Sequence, residues 1–147
     1  MAKEIEDKYL VVSDDFKAMA TAVKSIRQGY ISRAPERTVR IRIVDNRGFI
    51  TLKGLSAGAA RDEYEYEIPV ADAAEILSRL CEGKVVSKTR YIVPFAGHTW
   101  EVDVFHGDDE GLVVAEIELP DEHTPYDLPP FAGRKVTGNP RYYNSNL

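Results

Sequence analysis

The chain has few of the residues that mark several common classes of protein. Cys81 is its one cysteine among 147 residues, so no disulfide can form within the chain. No apolar run approaches the roughly 20 residues that a membrane-spanning helix needs. The opening MAKEIEDKYL carries acids where a secretory signal would place a basic region and then an apolar one. We therefore expect a cytoplasmic protein with no membrane partner.

Basic charge is also in the minority. Lys and Arg number 19 against 24 Asp and Glu, which gives a net charge of -5. Proteins that bind nucleic acid usually carry a basic excess, so we expect no nucleic-acid partner. The hydrophobic share of 44% and the charged share of 29% are those of an ordinary globular chain. A chain of this length favours one domain, and we assign residues 1–147 to it.

Alternation of polar and apolar residues, which is typical of β-strands, dominates the chain. Helical spacing interrupts it twice, at 14–26 and at 70–80, and residues 121–130 form a Pro-rich loop. We predict a mainly β fold with a few helices, of the α+β class. The eight predicted strands, mostly antiparallel, are 3–12, 27–33, 37–45, 48–54, 62–70, 85–93, 98–106 and 111–119.

Charged residues share one face of nearly every predicted strand, and they are sorted by sign. Successive side chains of a strand point to opposite faces of a sheet. Arg40 and Arg42 therefore oppose Ile41, as Glu116 and Glu118 oppose the apolar residue between them. The remaining acids with this pattern are Glu4, Glu6, Glu63, Glu65, Glu67, Glu101 and Asp103, and the remaining cations are Lys8, Lys53, Lys88 and Arg90.

Two interpretations of the charged faces remain open. The first is a sandwich whose charged faces meet solvent, and for any one strand it is the better explanation. The second is a closed eight-stranded barrel whose charged faces point inward, around a lumen just wide enough for one small ligand. Clusters of like charge repel unless the opposite sign lies between them, which favours the barrel for the set as a whole.

The chemistry of such a lumen indicates its ligand. Cationic side chains bind phosphate oxygens, whereas carboxylates bind divalent cations such as Mg²⁺ that bridge to phosphate. Six inward cations exceed what a single phosphate needs. The lumen therefore predicts a polyanion such as a triphosphate.

An ordered series of short motifs resembles the CYTH superfamily, also called the triphosphate tunnel metalloenzymes. It opens with the signature Glu4-x-Glu6-x-Lys8 near the N-terminus. The later matches are Arg27–Tyr30, Arg40-x-Arg42, Thr51–Lys53, Glu63-x-Glu65, Lys88–Tyr91, Glu101–Phe105, Glu116-x-Glu118 and Arg141–Asn144. A five-residue signature is weak on its own, whereas the ordered series covers nearly the whole chain.

The resemblance implies an eight-stranded antiparallel closed β-barrel, the triphosphate tunnel, with flanking helices. It also implies a triphosphate substrate and dependence on Mg²⁺ or Mn²⁺. Family members are often dimeric, and the outward-facing Tyr64 and Tyr66 are candidates for a homodimer contact.

The resemblance assigns roles residue by residue. The implied catalytic residues are Glu4, Glu6, Lys8, Glu116 and Glu118. The implied metal ligands are Glu4, Glu6, Glu116 and Glu118, with Glu63, Glu65 and Asp103 for a second metal. The implied triphosphate cradle is Lys8, Arg40, Arg42, Lys53, Lys88 and Arg90.

The C-terminal segment departs from the family pattern. Some members carry a lysine near the position of Tyr143. If that lysine assists the leaving group or closes the tunnel, either Arg141 or Lys135 has to replace it here or that step is weaker.

Three functions are consistent with this sequence. The first is hydrolysis of inorganic triphosphate, which the short length and the lack of any obvious appended nucleobase-binding element favour. The second uses the same tunnel on an organic triphosphate, as a class IV adenylate cyclase or a thiamine or nucleoside triphosphatase. The third is a non-catalytic polyphosphate-binding module, which the complete acidic set disfavours because binding alone needs the cations more than the carboxylates.

Overall fold

The computed structural model describes residues 3–143 and Leu147. In that part of the chain, no helix is long and apolar enough to cross a membrane. The elements in chain order are β1 (Lys3–Val11), α1 (Phe16–Met19), β2 (Ala22–Ser32), β3 (Thr38–Val44), β4 (Arg47–Lys53), β5 (Ala60–Ile68), α2 (Val70–Arg79), β6 (Glu82–Phe95), β7 (His98–Phe105), β8 (Val113–Glu118) and β9 (Ala132–Lys135).

Eight of the strands close into an antiparallel barrel in the order β1-β5-β4-β3-β2-β6-β7-β8. The closing pair is short, because only Lys3–Ile5 of β1 pairs with Ala60–Asp62 of β5. β9 pairs with the other half of the same β1 edge, at Tyr9 and Val11. The predicted eight-stranded closed barrel with flanking helices is therefore confirmed, with one additional strand.

Apolar side chains cover the outside of the barrel, which is why the charged faces point inward. Trp100, Val102 and Ile117 form one buried cluster on the outer face of β7 and β8, and Phe16 of α1 and Phe131 pack against it. Burying side chains of this size supplies the main favourable free energy of folding. The alternation of the sequence thus assigns one face of each strand to this core and the other to the lumen.

A second outer cluster forms where α2 packs across β3 and β4. Ala73 and Leu77, four residues apart on α2, are buried against Ile41. Gly48 permits this approach, since a Cβ at that position would lie 2.8 Å from the Cβ of Ala73. The predicted helix at 70–80 is confirmed.

The interior of the barrel is apolar at one end. Val86, Phe105 and Val114 are buried there, and Leu10 and Leu147 pack against them. Leu10, Phe105 and Val114 lie on the same strand faces as the charged residues. The charged lumen is therefore confined to the rest of the interior.

The helix predicted at 14–26 is wrong beyond its first turn. Only Phe16–Met19 is helical, and Ala22–Ser32 is strand β2. Ile26 pairs with Val44 on one side and with Lys88 on the other. The backbone hydrogen bonds of β2 to β3 and to β6 outweigh the helical spacing of the apolar residues in 14–26. β-Branched residues such as Ile26 also fit strands well. Strand β9 is covered by no predicted strand, and several strand ends differ, as in β5, which begins at Ala60 and not at residue 62.

Candidate active site

The charged faces of the strands meet inside the barrel, at low exposure. The buried charged residues on these faces are Glu4, Lys8, Arg40, Arg42, Lys88, Arg90, Asp103 and Glu116. Buried charges are costly unless they are paired or bind a ligand. The lumen is therefore arranged either as a network of internal pairs or as a binding site, and the individual contacts show that it is partly both.

Two adjoining cavities lie in the lumen. The larger, of about 150 Å³, is lined by Glu4, Glu6, Arg40, Arg42, Lys53, Glu63, Glu65, Arg90, Glu101, Glu116 and Glu118. The smaller, of about 50 Å³, shares Glu4, Glu6, Arg40 and Lys53 with it and is also lined by Lys8, Tyr30, Thr38, Arg61, Thr137 and Tyr143. Cations and carboxylates thus face the same space.

Arg42 supplies a positive charge that no carboxylate within the described residues pairs with directly. Its Nε and Nη2 donate to Gln28 Oε1 at 3.1 and 2.9 Å, and that acceptor is neutral. Burial, together with the positive charges of Arg40 and Arg90, lowers the pKa of Arg42 to about 9. A guanidinium held in this way is suited to an anionic ligand.

Three residues form a tightly paired group on β6 and β7. Arg90 Nε and Nη2 donate to the two carboxylate oxygens of Asp103 at 2.7 and 2.9 Å. Lys88 Nζ lies 2.6 Å from Asp103 Oδ2. Burial alone would raise the pKa of Asp103, but the charges of Lys88 and Arg90 hold it well below its usual range. Burial lowers the pKa of Lys88 to about 7 even though Asp103 opposes the shift.

The acidic side of the lumen contains carboxylates with and without cations. Glu4 accepts two bonds of 3.0 Å from Lys53 Nζ, and Glu116 lies 3.3 Å from Lys8 Nζ. Although burial favours their neutral forms, these lysines lower the pKa of Glu4 and, with Arg90 and Lys88, bring the pKa of Glu116 to about 2. Both acids are therefore ionised at neutral pH.

The carboxylate of Glu6 has no cation in contact with it among the described residues. Within residues 3–143 and Leu147, no hydrogen bond or ion pair to its side chain is found. Burial raises the pKa of Glu6 well above its ordinary value, and the negative charges of Glu116 and Glu4 raise it further. Burial and the neighbouring Glu4 and Glu101 likewise raise the pKa of Glu118. A divalent cation is the group that would stabilise such a set of oxygen ligands.

The larger cavity is also lined by Glu63, a carboxyl group whose pKa lies near neutral pH. Glu63 lies 3.4 Å from Lys53 Nζ. Burial, followed by the charge of Glu4, raises the pKa of Glu63 to about 7. Glu65 is more exposed, at 44% of its side chain, and lies 3.7 Å from Arg40.

The CYTH domain model matches residues 2–145. The chain belongs to the CYTH family.

Curated CYTH relatives cover almost the full chain. It is 54% identical to a protein named inorganic triphosphatase from Acetivibrio thermocellus, over 100% of this chain and 94% of the relative. It is 35% identical to an inorganic triphosphatase from Nitrosomonas europaea, over 98% of this chain and 95% of that one. A solved structure of an inorganic triphosphatase superposes with a TM-score of 0.67 at 33% identity, covering 99% of this chain and 94% of that chain.

The residues predicted from the CYTH motifs converge in the structure. All thirteen are charged, and eleven of them line one or both cavities. The two exceptions are Lys88 and Asp103. Both oxygens of Asp103 already contact cations, so the geometry favours Asp103 as a counter-charge that fixes Lys88 and Arg90, in place of the second-metal role that its motif position implies.

The structure adds lumen residues that the sequence interpretation did not assign. Thr51 is fully buried and accepts from Arg40 Nη2 at 3.2 Å, and Tyr30 lines the smaller cavity. Arg61 lines it as well and donates from Nε to the carbonyl of Gly54 at 2.9 Å. The alternation that selected Glu63 and Glu65 also selects Arg61, but the predicted strand began one residue too late to include it.

The structure places both candidate replacements for the C-terminal lysine, Lys135 and Arg141, away from the two cavities. Lys135 Nζ lies 3.5 Å from Asp7 on the outside of the barrel. Arg141 is exposed and stacks its guanidinium over the Tyr142 ring at 5.6 Å. Neither residue lines the cavities, whereas Tyr143 lines the smaller one. Asn144, the last residue of that motif, lies outside the described residues.

Proposed function

We propose that this CYTH protein hydrolyses inorganic triphosphate to diphosphate and phosphate, with Mg²⁺ or Mn²⁺ as the cofactor. One observation carries the proposal. Among the described residues, the same cavity contains carboxylates that no cation contacts, at the half-buried Glu6 and at the more exposed Glu118, and a buried guanidinium that no carboxylate contacts, at Arg42. A metal-bound polyphosphate supplies both missing charges at once. The names of the 54% and 35% identical relatives support the same activity.

The cations of the lumen would hold the triphosphate. Arg42 and Arg90 line the larger cavity and Lys8 lines the smaller one, whereas Arg40 and Lys53 line both. Guanidinium groups bind phosphate oxygens in bidentate fashion, which fixes direction as well as position. Phosphoryl transfer depends chiefly on positioning and on stabilising the charge of the transition state. Cations held on the strands of the barrel would provide both.

The carboxylates of Glu4, Glu6, Glu116 and Glu118 would hold the metal. Nowhere in the described ranges are three acidic, histidine or cysteine side chains already grouped to hold an ion. Glu4 and Glu116 are engaged by Lys53 and Lys8 instead. Phosphate oxygens would draw these lysines away, and Mg²⁺ is usually held by one or two carboxylates together with phosphate and water. We therefore infer that metal and triphosphate bind together.

A residue of the chain can also accept the proton that the attacking water loses. When bound, the metal would neutralise phosphate charge and lower the pKa of a coordinated water. Glu63 has a pKa of about 7, which is matched to accepting a proton near neutral pH. Lys88, whose pKa is also about 7, lies too deep to line either cavity and is held against Asp103.

An assay with two substrates and two metals tests the proposed function. Tripolyphosphate and ATP are each incubated with Mg²⁺, with Mn²⁺ and with EDTA, and released phosphate and cyclic AMP are measured. We expect phosphate from tripolyphosphate in the presence of metal and none in EDTA. Cyclic AMP formed from ATP would instead establish an adenylate cyclase. Phosphate released from ATP but not from tripolyphosphate would establish a nucleoside triphosphatase. Binding of tripolyphosphate without turnover would establish the polyphosphate-binding module.

Replacing Arg42 with alanine is expected to weaken substrate binding more than turnover. No carboxylate of the described residues contacts Arg42, so its removal takes away a phosphate contact without leaving an internal carboxylate unpaired. We expect KM for tripolyphosphate to rise about tenfold, the effect of one charged hydrogen-bonding contact, while kcat changes less. Arg47→Ala is the matched control, because Arg47 is exposed and pairs with Glu67. A KM for Arg42→Ala equal to that of Arg47→Ala would contradict the assignment.

A further inference from the structure

Asp7 lies between two residues of the site, Glu6 and Lys8, yet its side chain is on the outer face of β1. It is nevertheless buried, at 7% exposure. Tyr126 Oη donates to Asp7 Oδ2 at 2.6 Å, and Thr137 Oγ1 donates to Asp7 Oδ1 at 3.1 Å. Lys135 Nζ lies 3.5 Å from Oδ2. A single carboxylate thus joins β1 to two later parts of the chain.

The contact with Thr137 continues to Lys8. The backbone N–H of Lys8 donates to Thr137 Oγ1 at 2.9 Å. Since the Thr137 hydroxyl proton points to Asp7, its oxygen is free to accept this bond, and the two bonds support each other. The N–H of Val136 also donates to the carbonyl of Lys8 at 2.8 Å. Residues 136 and 137 therefore hold both sides of the Lys8 backbone.

The side chain of Lys8 is held by the same C-terminal segment, residues 136–142. Its Nζ donates to the carbonyl oxygen of Tyr142 at 2.9 Å and lies 3.3 Å from Glu116 Oε1. Asp7 fixes the segment from outside the barrel, and the segment fixes Lys8 from inside. Asp7, Thr137 and Lys8 therefore form one connected unit, which we call the Asp7 clasp.

We propose that the Asp7 clasp positions the Lys8 ammonium for triphosphate, with Asp7 and Thr137 acting as positioning residues through Lys8. The proposal rests on the proposed function, because it takes Lys8 as a triphosphate contact. A displacement of about 1 Å in such a contact is enough to cost a large factor in rate. Lys8 is a long, flexible side chain, and a fixed carbonyl acceptor together with a fixed backbone limits the positions that it can take.

The chain offers variants that separate this role from simple stabilisation. Thr137→Val keeps the shape of the side chain but removes the hydroxyl that joins Asp7 to Lys8. Thr137→Ser keeps that hydroxyl. Tyr126→Phe removes the other hydrogen bond to the same carboxylate, and Tyr126 belongs to a loop that packs against Trp100 and Tyr9 on the outside of the barrel. Both Thr137→Val and Tyr126→Phe should lower Tm, but only the first breaks the connection to Lys8.

The test is a double-mutant cycle between Thr137→Val and Lys8→Ala, with kcat and KM for tripolyphosphate and Mg²⁺ as readouts. We expect Thr137→Val to raise KM about tenfold and Thr137→Ser to restore it to within about twofold of wild type, since the hydroxyl bonds are regained. Tyr126→Phe should leave KM unchanged. In the Lys8→Ala background, Thr137→Val should have no further effect on KM.

Two results would overturn the Asp7 clasp. One is a Thr137→Val effect on KM that is as large in the Lys8→Ala background as in wild type, which would show action through the fold alone. The other is an unchanged KM in Thr137→Val. Failure of wild type to hydrolyse tripolyphosphate would refute the proposed function instead. In that case the Kd for tripolyphosphate, measured by calorimetry for the same variants, replaces KM. We expect the same changes in Kd, and the same two results would overturn the Asp7 clasp.

Discussion

Glu6→Gln is expected to abolish metal-dependent hydrolysis of tripolyphosphate and, at the same time, to stabilise the metal-free protein. The loss of activity follows from removing a metal ligand, and we expect kcat/KM to fall about 10³-fold. The gain in stability follows because Glu6 is half-buried beside the negative charges of Glu116 and Glu4, and no cation of the described residues contacts it. Glutamine has the same shape and removes that repulsion.

The stability that Glu6→Gln gains over wild type should increase with pH. Because the pKa of Glu6 is raised in the folded protein above the ordinary 4.5, the folded state favours the protonated form. Below pH 4.5 Glu6 is protonated in both states, and the variant gains little. As pH rises through the raised pKa, wild type loses stability that the variant keeps. The difference in Tm should therefore grow with pH and then level off.

Thermal unfolding in EDTA, followed by repetition with Mg²⁺ and tripolyphosphate, measures this effect. In EDTA above neutral pH we expect Glu6→Gln to unfold about 2–4 °C above wild type, the shift that about 1 kcal/mol produces in a chain of this size. With both ligands the order should reverse, because only wild type binds the metal well. Glu67→Gln, an exposed carboxylate on the same barrel, serves as the control and should keep full activity. A Glu6→Gln protein that retains wild-type turnover would refute the metal assignment.

Asp103→Asn is expected to be the most destabilising single change in the lumen. It would leave Lys88 and Arg90 buried without the carboxylate that both contact at 2.6–2.9 Å. Removing one partner of a buried ion pair costs about 3–5 kcal/mol, which corresponds to a fall in Tm of about 10 °C. Thermal unfolding at neutral pH in EDTA measures the change.

The control for Asp103 is Glu101→Gln. Glu101 contacts the same Arg90, at 3.2 Å, but its side chain is 38% exposed, so its loss should change Tm little. Tripolyphosphate should recover part of the stability of Asp103→Asn, because phosphate oxygens offer Arg90 a new counter-charge. Equal Tm values for Asp103→Asn and wild type would show that Asp103 is not the counter-charge of this group.

The alternation of the sequence predicted which residues share a face, and the sorting of the charges by sign then favoured a lumen over a solvated surface. Arg40 and Arg42 on β3, and Glu116 on β8, are buried inside the barrel as that rule requires. The same rule placed Glu67 with Glu63, yet Glu67 is exposed and pairs with Arg47. Alternation specifies the face of a strand but not the depth along the barrel, and Glu67 lies near the end of β5.

Other features depended on contacts between distant parts of the chain. Ile26 had helical spacing with Phe16, and only its ladders to β3 and β6 make it part of a strand. Asp103 shares the pattern of the metal ligands, and only the positions of Lys88 and Arg90 make it a counter-charge. The hydrogen bond from Thr137 to Asp7 joins residues that are 130 positions apart in the sequence, and no local motif predicts it.

Anomalous scattering from a crystal grown with Mn²⁺ and tripolyphosphate tests the central claim most directly. The account predicts a manganese peak in the lumen bonded to Glu6 and to at least one of Glu4, Glu116 and Glu118, with phosphate density against Arg40 and Arg42. A peak outside the lumen, or tripolyphosphate bound on the outer surface while the lumen keeps its internal ion pairs, would contradict it.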